Sequence, residues 1–419
     1  MLVVTKARAV AVSGKIGGVE HMLLDEMQTT ARTKSWVAVA YGVLDVTRLG
    51  AFPDDVELLV VPARPHVPLA LKRKGAALWR RMVAHPVPDA QLDDDEREIV
   101  HDMLSIGLAT ADPEHPARIC EIPTPWLYSP LHELVYALVQ SVARENAIRL
   151  VFIKGPILHR QGLRLREHSG DVDLWVQPGL ENDLAKALAP WGWTLIPFDF
   201  HPAMYHSLTL EPTEWGCEID IHYRFPGIGV SPATAFSVLA DTAQEYEFAG
   251  VRTLAPARPA GAVLSALHTL RPEPGVFRPG TQPPEAVAVL RAGGAQTFGV
   301  AERLGAVPVL WDALAAAFPG ASLPGDMGKL PAEWKRRLAP SAAAYHLTFV
   351  RSLPWSQRPG ATIRVLWPSV RKARLSSARR GGAPTASPVA ARFRRLQFGA
   401  GEAIKATRQT LRRLCGRRT

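Results

Sequence analysis

At 419 residues, with 47% hydrophobic residues and a formal net charge of +10, the chain is long enough for two or three domains that each bury a core. It has no run of about 18 apolar residues, which excludes a membrane-spanning helix, and Lys6, Arg8 and Lys15 break the apolar N-terminus, which argues against a signal peptide. Cys120, Cys217 and Cys415 are odd in number and lack metal-ligand spacing, so a soluble protein of a reducing cytoplasm is expected rather than a disulfide scaffold or a cysteine metal centre.

Residues 1–50 form an N-terminal segment with weak signals, in which Trp36 to Leu44 fits either a short strand or a helix. From 51 to 112 the pattern sharpens. Val56 to Val61 and Val67 to Leu71 read as strands joined by a Pro-containing turn, and Ala76, Leu78, Trp79 and Met82 share a following helix. Leu92, Ile99, Val100, Met103 and Ile106 recur at helical spacing on a second helix, with an acidic first turn at Asp93 to Glu96 and a stop at Gly107. Leu108 to Thr110 then fits a wing. Asp112 to Pro130 is Pro-rich and reads as a linker, with His115 solvated and Trp126 and Tyr128 as core anchors; Leu131 to Ala147 is an amphipathic helix.

The chemistry concentrates between Leu150 and Val176 and again between Cys217 and Phe225. In the first stretch an apolar run ends on Lys154-Gly155-Pro156, a helix follows, and Asp171-Val172-Asp173 opens a second apolar run. Side chains alternate faces along a strand, so Asp171 and Asp173 share one face while Val172 and Leu174 take the other. In the second stretch Glu218, Asp220, His222 and Arg224 fall on one face and Ile219, Ile221, Tyr223 and Phe225 on the opposite one. If the two strands pair, Asp220 becomes a third carboxylate at the same cleft. Clustered carboxylates repel one another unless cations neutralise them, and a hard divalent ion such as Mg²⁺ or Mn²⁺ is the usual answer. Lys154 and the free N–H groups of the Gly155-Pro156 helix start suit a phosphate.

Between and beyond these stretches, Leu180 to Leu188 reads as a helix, while Gly192 to Ile196 and Ser207 to Leu210 read as strands, with His201 and His206 as polar residues at a sheet edge. Pro232 to Tyr246 reads as a helix, as does an Ala/Leu stretch ending near His268. Pro272 to Pro284 is a Pro/Gly loop, and Ala286 to Phe318 and Trp334 to Phe349 continue helical. The last segment, 367–419, changes character: from Arg371 to Thr419 there are 14 Lys and Arg against Glu402 alone, so the tail supplies the positive charge of an otherwise near-neutral chain. Such a run is expected to be a disordered, solvated tail, with RNA, DNA or an anionic membrane surface as its sharper alternative.

The ordered set Ile153-Lys154-Gly155, Arg166, Asp171-Val172-Asp173-Leu174-Trp175-Val176, Gly192-Trp193 and Asp220-Ile221-His222-Tyr223 resembles a poorly characterised bacterial branch of the DNA polymerase β-like nucleotidyltransferase superfamily, over about residues 120–270. The chain departs from the better-known members in lacking a Gly-Ser pair and in the sixteen positions that separate Gly155 from Asp171. The resemblance implies an α/β (α+β) fold: a small mixed-sheet nucleotidyltransferase core (113–270) with a helical C-terminal lobe (271–366). It implies transfer of NMP from an NTP such as ATP, with Asp171, Asp173 and Asp220 catalytic and metal-holding and Lys154, Gly155, Arg166 and His222 on the nucleotide. More loosely, Gly75, Ala76, Trp79, Gly107 and Leu108 resemble a pyrroloquinoline-quinone-D-type domain, which implies a small winged-helix-like unit over 51–112 that takes a leader peptide by strand addition. That would make the acceptor a modified peptide or natural-product intermediate. An RNA- or tRNA-directed enzyme of toxin type and a catalytically inactive binding module are the alternatives.

Overall fold

The computed structural model describes residues 34–367 apart from 54, 168–169, 199, 275–283 and 322–328, together with 387, 389–390, 393, 397 and 401. The readings made of residues 1–33 and of the basic side chains beyond 367 lie outside the described residues.

The first unit is built from short strands that alternate with two helices. Strands β1 (Ser35–Ala38), β2 (Gly42–Asp45), β3 (Val56–Val61) and β4 (Leu69–Lys72) lead into α1 (Arg73–Ala84), β5 (Val87–Pro88), α2 (Asp94–Ile106) and β6 (Ala109–Thr110). They form two antiparallel three-stranded sheets, β5-β1-β6 and β2-β3-β4. Helix α2 starts on a reciprocal capping box between Asp93 and Glu96 and stops at Gly107 in the left-handed region, as its acidic first turn and glycine foretold. Trp79 is fully buried and donates its indole N–H to the Leu108 carbonyl at 2.9 Å, so it serves the core.

Two boundaries differ from the sequence reading. The stretch Trp36 to Leu44 is a pair of strands, and because β2 pairs with β3 and β1 with β6, residues 35–45 belong to the unit that the reading began at 51. The segment expected as a wing, Leu108 to Thr110, carries the short strand β6, which pairs with β1. The proline-rich linker is also docked: Ile119 donates to the Ala38 carbonyl and Asp45 to that of Pro123. Tyr128, expected in a core, is 93% exposed.

The central unit carries α3 (Pro130–Glu145), β7 (Leu150–Phe152), α4 (Gly155–Arg160), β8 (Asp171–Val176), α5 (Glu181–Leu188), β9 (Trp193–Leu195), β10 (Ser207–Pro212) and β11 (Glu218–His222). Its five strands run in the order β7-β8-β11-β10-β9, with β8 and β11 parallel and the other neighbours antiparallel. Period-two alternation decides which side each residue faces. Val172, Leu174, Ile219 and Ile221 join one hydrophobic cluster with α3, while Trp175, on the aspartate side of β8, joins another with the C-terminal helices. Gly42 sits where a Cβ would lie 2.8 Å from the Ala137 Cβ, so only glycine lets β2 approach α3 this closely.

The chain continues through α6 (Pro232–Ala240), the hairpin β12 (Gln244–Phe248) and β13 (Val251–Ala255), and helices α7 (Arg258–Leu270), α8 (Pro284–Gly293), α9 (Gln296–Arg303), α10 (Val307–Ala317), α11 (Ala332–Arg337), α12 (Ala342–Ser352) and α13 (Arg358–Leu366). The helix expected through Tyr246 ends at Ala240, because Gln244-Glu245-Tyr246-Glu247-Phe248 alternates at period two and turns on Ala249-Gly250, both at positive φ. The long helical stretch expected from 286 to 318 breaks near Gly294 and Gly305, which also take positive φ. The fold is thus mixed α/β, with a small mixed-sheet core, a helical C-terminal lobe and a small N-terminal α/β unit.

Candidate metal and anion site

Parallel pairing of β8 with β11 sets Asp171 opposite Glu218, Asp173 opposite Asp220 and Trp175 opposite His222. Because each strand presents alternate residues, Asp171, Asp173, Asp220 and His222 come to one face, at the end of the sheet where β7 turns into α4. The turn is sharp: Lys154 and Gly155 both take positive φ, 63° and 55°, which is uncommon for a lysine. That turn sends the Lys154 ammonium to Asp173, with Nζ 2.6 Å from Oδ1.

Asp173 is the hub. Its Oδ1 accepts from Lys154 and faces His222 Nε2 at 2.8 Å, with both partners largely enclosed. Burial alone would raise its proton affinity, but the hydrogen bond from His222 and the Lys154 charge outweigh it and hold the carboxyl well below the usual carboxylate range. Asp171 behaves oppositely. Burial, reinforced by the negative charges of Asp173 and Asp220, pushes its carboxyl up to about 6. Asp220 is tied through Oδ1 to the Thr209 hydroxyl at 2.6 Å. Burial and the Lys154 charge lower the proton affinity of His222, against the pull of Asp173; its Nδ1 is buried without a hydrogen-bond partner among the described residues.

One ligand atom each from Asp173, Asp220 and His222 lies within 4.8 Å of the others. Two carboxylates and an imidazole suit a divalent cation, and neither Oδ2 of Asp173 nor Oδ2 of Asp220 makes a hydrogen bond among the described residues. The donor set therefore fits a metal ion, with the Lys154 ammonium as a rival cation on Asp173. Asp171, expected as a metal-holding carboxylate with Asp173 and Asp220, lies on the same face and feels the charges of both, and His222, expected on the nucleotide, joins Asp173 and Asp220 in this group. Glu218 is exposed and lies beyond them. Arg166 is exposed and makes no hydrogen bond or ion pair among the described residues.

Sequence reasoning missed the other half of the site. His206, read as a sheet-edge residue, holds its ring 5.4 Å from that of His222, tilted by 47°. Arg271, the residue that ends α7, brings Nη1 to 3.5 Å from His206 Nε2. Arg224 and Arg337 flank Glu333 at 3.7 and 3.0 Å. Burial pushes the proton affinity of His206 well down, and the charges of His222, Arg271, Arg337 and Lys154 add to it. His268 is driven to about 4, first by burial and then by Lys154 and Arg271. The site is bipolar: acids at the β8/β11 end and a surplus of positive charge beside them. The only local hint in the sequence was Arg224, which shares a face with Asp220.

No protein-family model matches the chain, and no curated protein does. Among solved structures, the chain is similar to the antibiotic-resistance factor ANT(2'')-Ia at 13% identity and a TM-score of 0.28, over 45% of this chain and 93% of that one. It is also similar to a tRNA nucleotidyltransferase complexed with a primer tRNA and an incoming ATP analogue, at 14% identity and a TM-score of 0.20, over 66% of this chain and 99% of that one.

Proposed function

We propose that this chain is a divalent-metal-dependent nucleotidyltransferase that moves an NMP group from an NTP to an acceptor hydroxyl or phosphate. The observation that carries the reading is the register that faces Asp220 with Asp173 across parallel strands and adds His222 two residues on, so that three ligand atoms converge within 4.8 Å. Asp173 and Asp220 hold Mg²⁺ or Mn²⁺, His222 orients Asp173 and completes the group, and Asp171 adds negative charge at its rim. Lys154 leaves Asp173 for the phosphates once a metal ion takes over its charge, beside the Gly155 backbone. An ion held by Asp173 and Asp220 would supply positive charge for the α-phosphate and the departing pyrophosphate. The acceptor oxygen forms its bond to the α-phosphorus as the bond to the bridging oxygen breaks and pyrophosphate leaves.

Incubation of the full chain with each labelled NTP and Mg²⁺ or Mn²⁺ tests this. Release of pyrophosphate or labelling of an acceptor, abolished in Asp173→Asn, is the expected result. One observation favours a second reading, a nucleotide-binding module without turnover: the Lys154 ammonium already neutralises Asp173 at 2.6 Å. Nucleotide bound but never consumed, with RNA and peptide pools both supplied as acceptors, would select that reading.

A further inference from the structure

We propose that Arg271, across from His206, is the residue that grips the tail of the nucleotide's polyphosphate. The inference rests on the nucleotidyltransferase reading and deepens it by assigning the phosphate-binding group to the helical lobe rather than to the strands that carry the acids.

The geometry supplies a continuous line from acid to guanidinium. Asp173 Oδ1 lies 2.8 Å from His222, the His222 and His206 rings are 5.4 Å apart, and Arg271 Nη1 lies 3.5 Å from His206 Nε2. Arg271 is half-buried, and burial followed by the nearby Arg337 charge lowers its proton affinity, a sign that its own charge is poorly compensated. A guanidinium in that position ordinarily meets a carboxylate. Arg271 forms no ion pair among the described residues. The acids whose charge reaches it are Glu273, Glu333 and Asp173. Glu333 is already engaged by Arg337 and Arg224, and Asp173 by Lys154 and His222, while Glu273, two residues along, makes no ion pair with Arg271 among the described residues.

His206 offers no negative charge in return, because an imidazole is neutral or cationic, and burial, with the charges of Arg271, Arg337 and Lys154, favours its neutral form. What remains is a fork of donors, half-withdrawn from water, separated from the group of metal ligands by the rings of His206 and His222. An anion with several oxygens could meet both ends of this line: oxygens at one end on a cation that Asp173 and Asp220 would hold, oxygens at the other end on Arg271. A polyphosphate has that chemistry, and a guanidinium fork matches phosphate better than a single ammonium does.

The test is calorimetric titration of the full chain with inorganic tripolyphosphate in the presence of Mn²⁺, with Mn²⁺ binding and thermal melting measured separately. Arg271→Met should weaken tripolyphosphate by about ten- to a hundredfold, the range for losing hydrogen bonds to a charged group. Arg271→Lys should recover part of the loss, while Arg144→Met, at the far end of α3, should change nothing. The Mn²⁺ affinity and melting temperature of Arg271→Met should stay near those of the unaltered protein. Undiminished tripolyphosphate binding in Arg271→Met overturns the proposal, as does an unaltered protein that binds no tripolyphosphate. A loss that comes only with a lowered melting temperature and is not relieved by lysine also overturns it. The nucleotidyltransferase reading fails separately, if Asp173→Asn binds Mn²⁺ as the unaltered protein does; Mn²⁺ binding that needs Asp173 beside tripolyphosphate binding that ignores Arg271 defeats this inference alone.

Discussion

The two faces of the five-stranded sheet are made from the same ten or so residues and have opposite consequences. On one, Val172, Leu174, Ile219 and Ile221 are fully enclosed against α3, and every side chain there lowers the free energy of the folded chain. On the other, one residue away along each strand, Asp171, Asp173, Asp220 and His222 crowd together, and the arrangement costs stability unless a cation offsets the charge. The apolar face fixes the strand register, and that register is what forces the acids together. A slip by one residue would exchange the faces.

The contrast extends to how each side treats a carboxylate. Glu133, on α3 beside the apolar face, is buried and accepts backbone N–H groups from Trp126, Leu127 and Ala249. It ties the proline-rich connection and the β12–β13 turn to the core. Burial still outweighs those bonds and holds its carboxyl above the usual range. Asp220 by contrast has one hydroxyl partner and an uncommitted oxygen. The first carboxylate has its acceptors filled by the chain itself; the second keeps one for something else.

Substitutions can separate the two faces. The largest effect belongs to the acid face and appears in turnover: Asp173→Asn should lower NMP transfer by a thousandfold or more, on the order of 4 kcal/mol of transition-state stabilisation, measured as pyrophosphate release. Leu174→Ala, its neighbour on the opposite face, should cost about 2–5 kcal/mol in denaturant unfolding, as buried leucine truncations do. Its Mn²⁺ affinity under folding conditions should hold. If instead Leu174→Ala abolished metal binding without loss of stability, the division of labour between the faces would be wrong.

Glu133→Gln should come next, at about 1–3 kcal/mol at low pH, because an amide oxygen replaces a carboxylate that takes three N–H donors. Its pH dependence has a definite sign. A carboxyl whose folded-state value is raised contributes stability that is complete below its unfolded value and is lost as pH rises through the folded value. The glutamine variant should therefore close part of its gap to the parent as pH rises above the ordinary carboxylate range, read from unfolding curves at several pH values. The smallest effect concerns cysteine chemistry. Cys217, buried with its thiol pushed up to about 12 by burial and by Asp171 and Glu218, should resist alkylation at pH 8, while the exposed Cys120 reacts at once; peptide mapping after iodoacetamide checks it.

What could be read in the sequence follows from which interactions are local. The alternation in Asp171 to Val176 and in Glu218 to His222 is a property of each strand alone, so the faces were legible before their pairing was known. Lys154-Gly155-Pro156 was legible for the same reason, since a turn that opens a helix leaves its mark within three residues. His206 and Arg271 were not. One begins a strand and the other ends a helix, and they meet only because β10 pairs beside β11 and α7 packs across the sheet. Asp171 was legible as an acid sharing a face with Asp173, but the place of His222 beside Asp173 and Asp220 was not, since it depends on the register of β8 against β11. The β12–β13 hairpin was hidden by Tyr246 and Phe248, which extend the apolar spacing of α6 as well as they begin a strand.

The central claim is that Asp173 and Asp220, from two parallel strands, share one divalent ion. Titration of Mn²⁺ into the unaltered chain, Asp173→Asn and Asp220→Asn, followed by the loss of the free-ion resonance signal, tests it most directly. The account predicts saturable binding to the unaltered protein that falls at least tenfold in each variant while both remain folded. Equal binding in all three, or none in any, would contradict it.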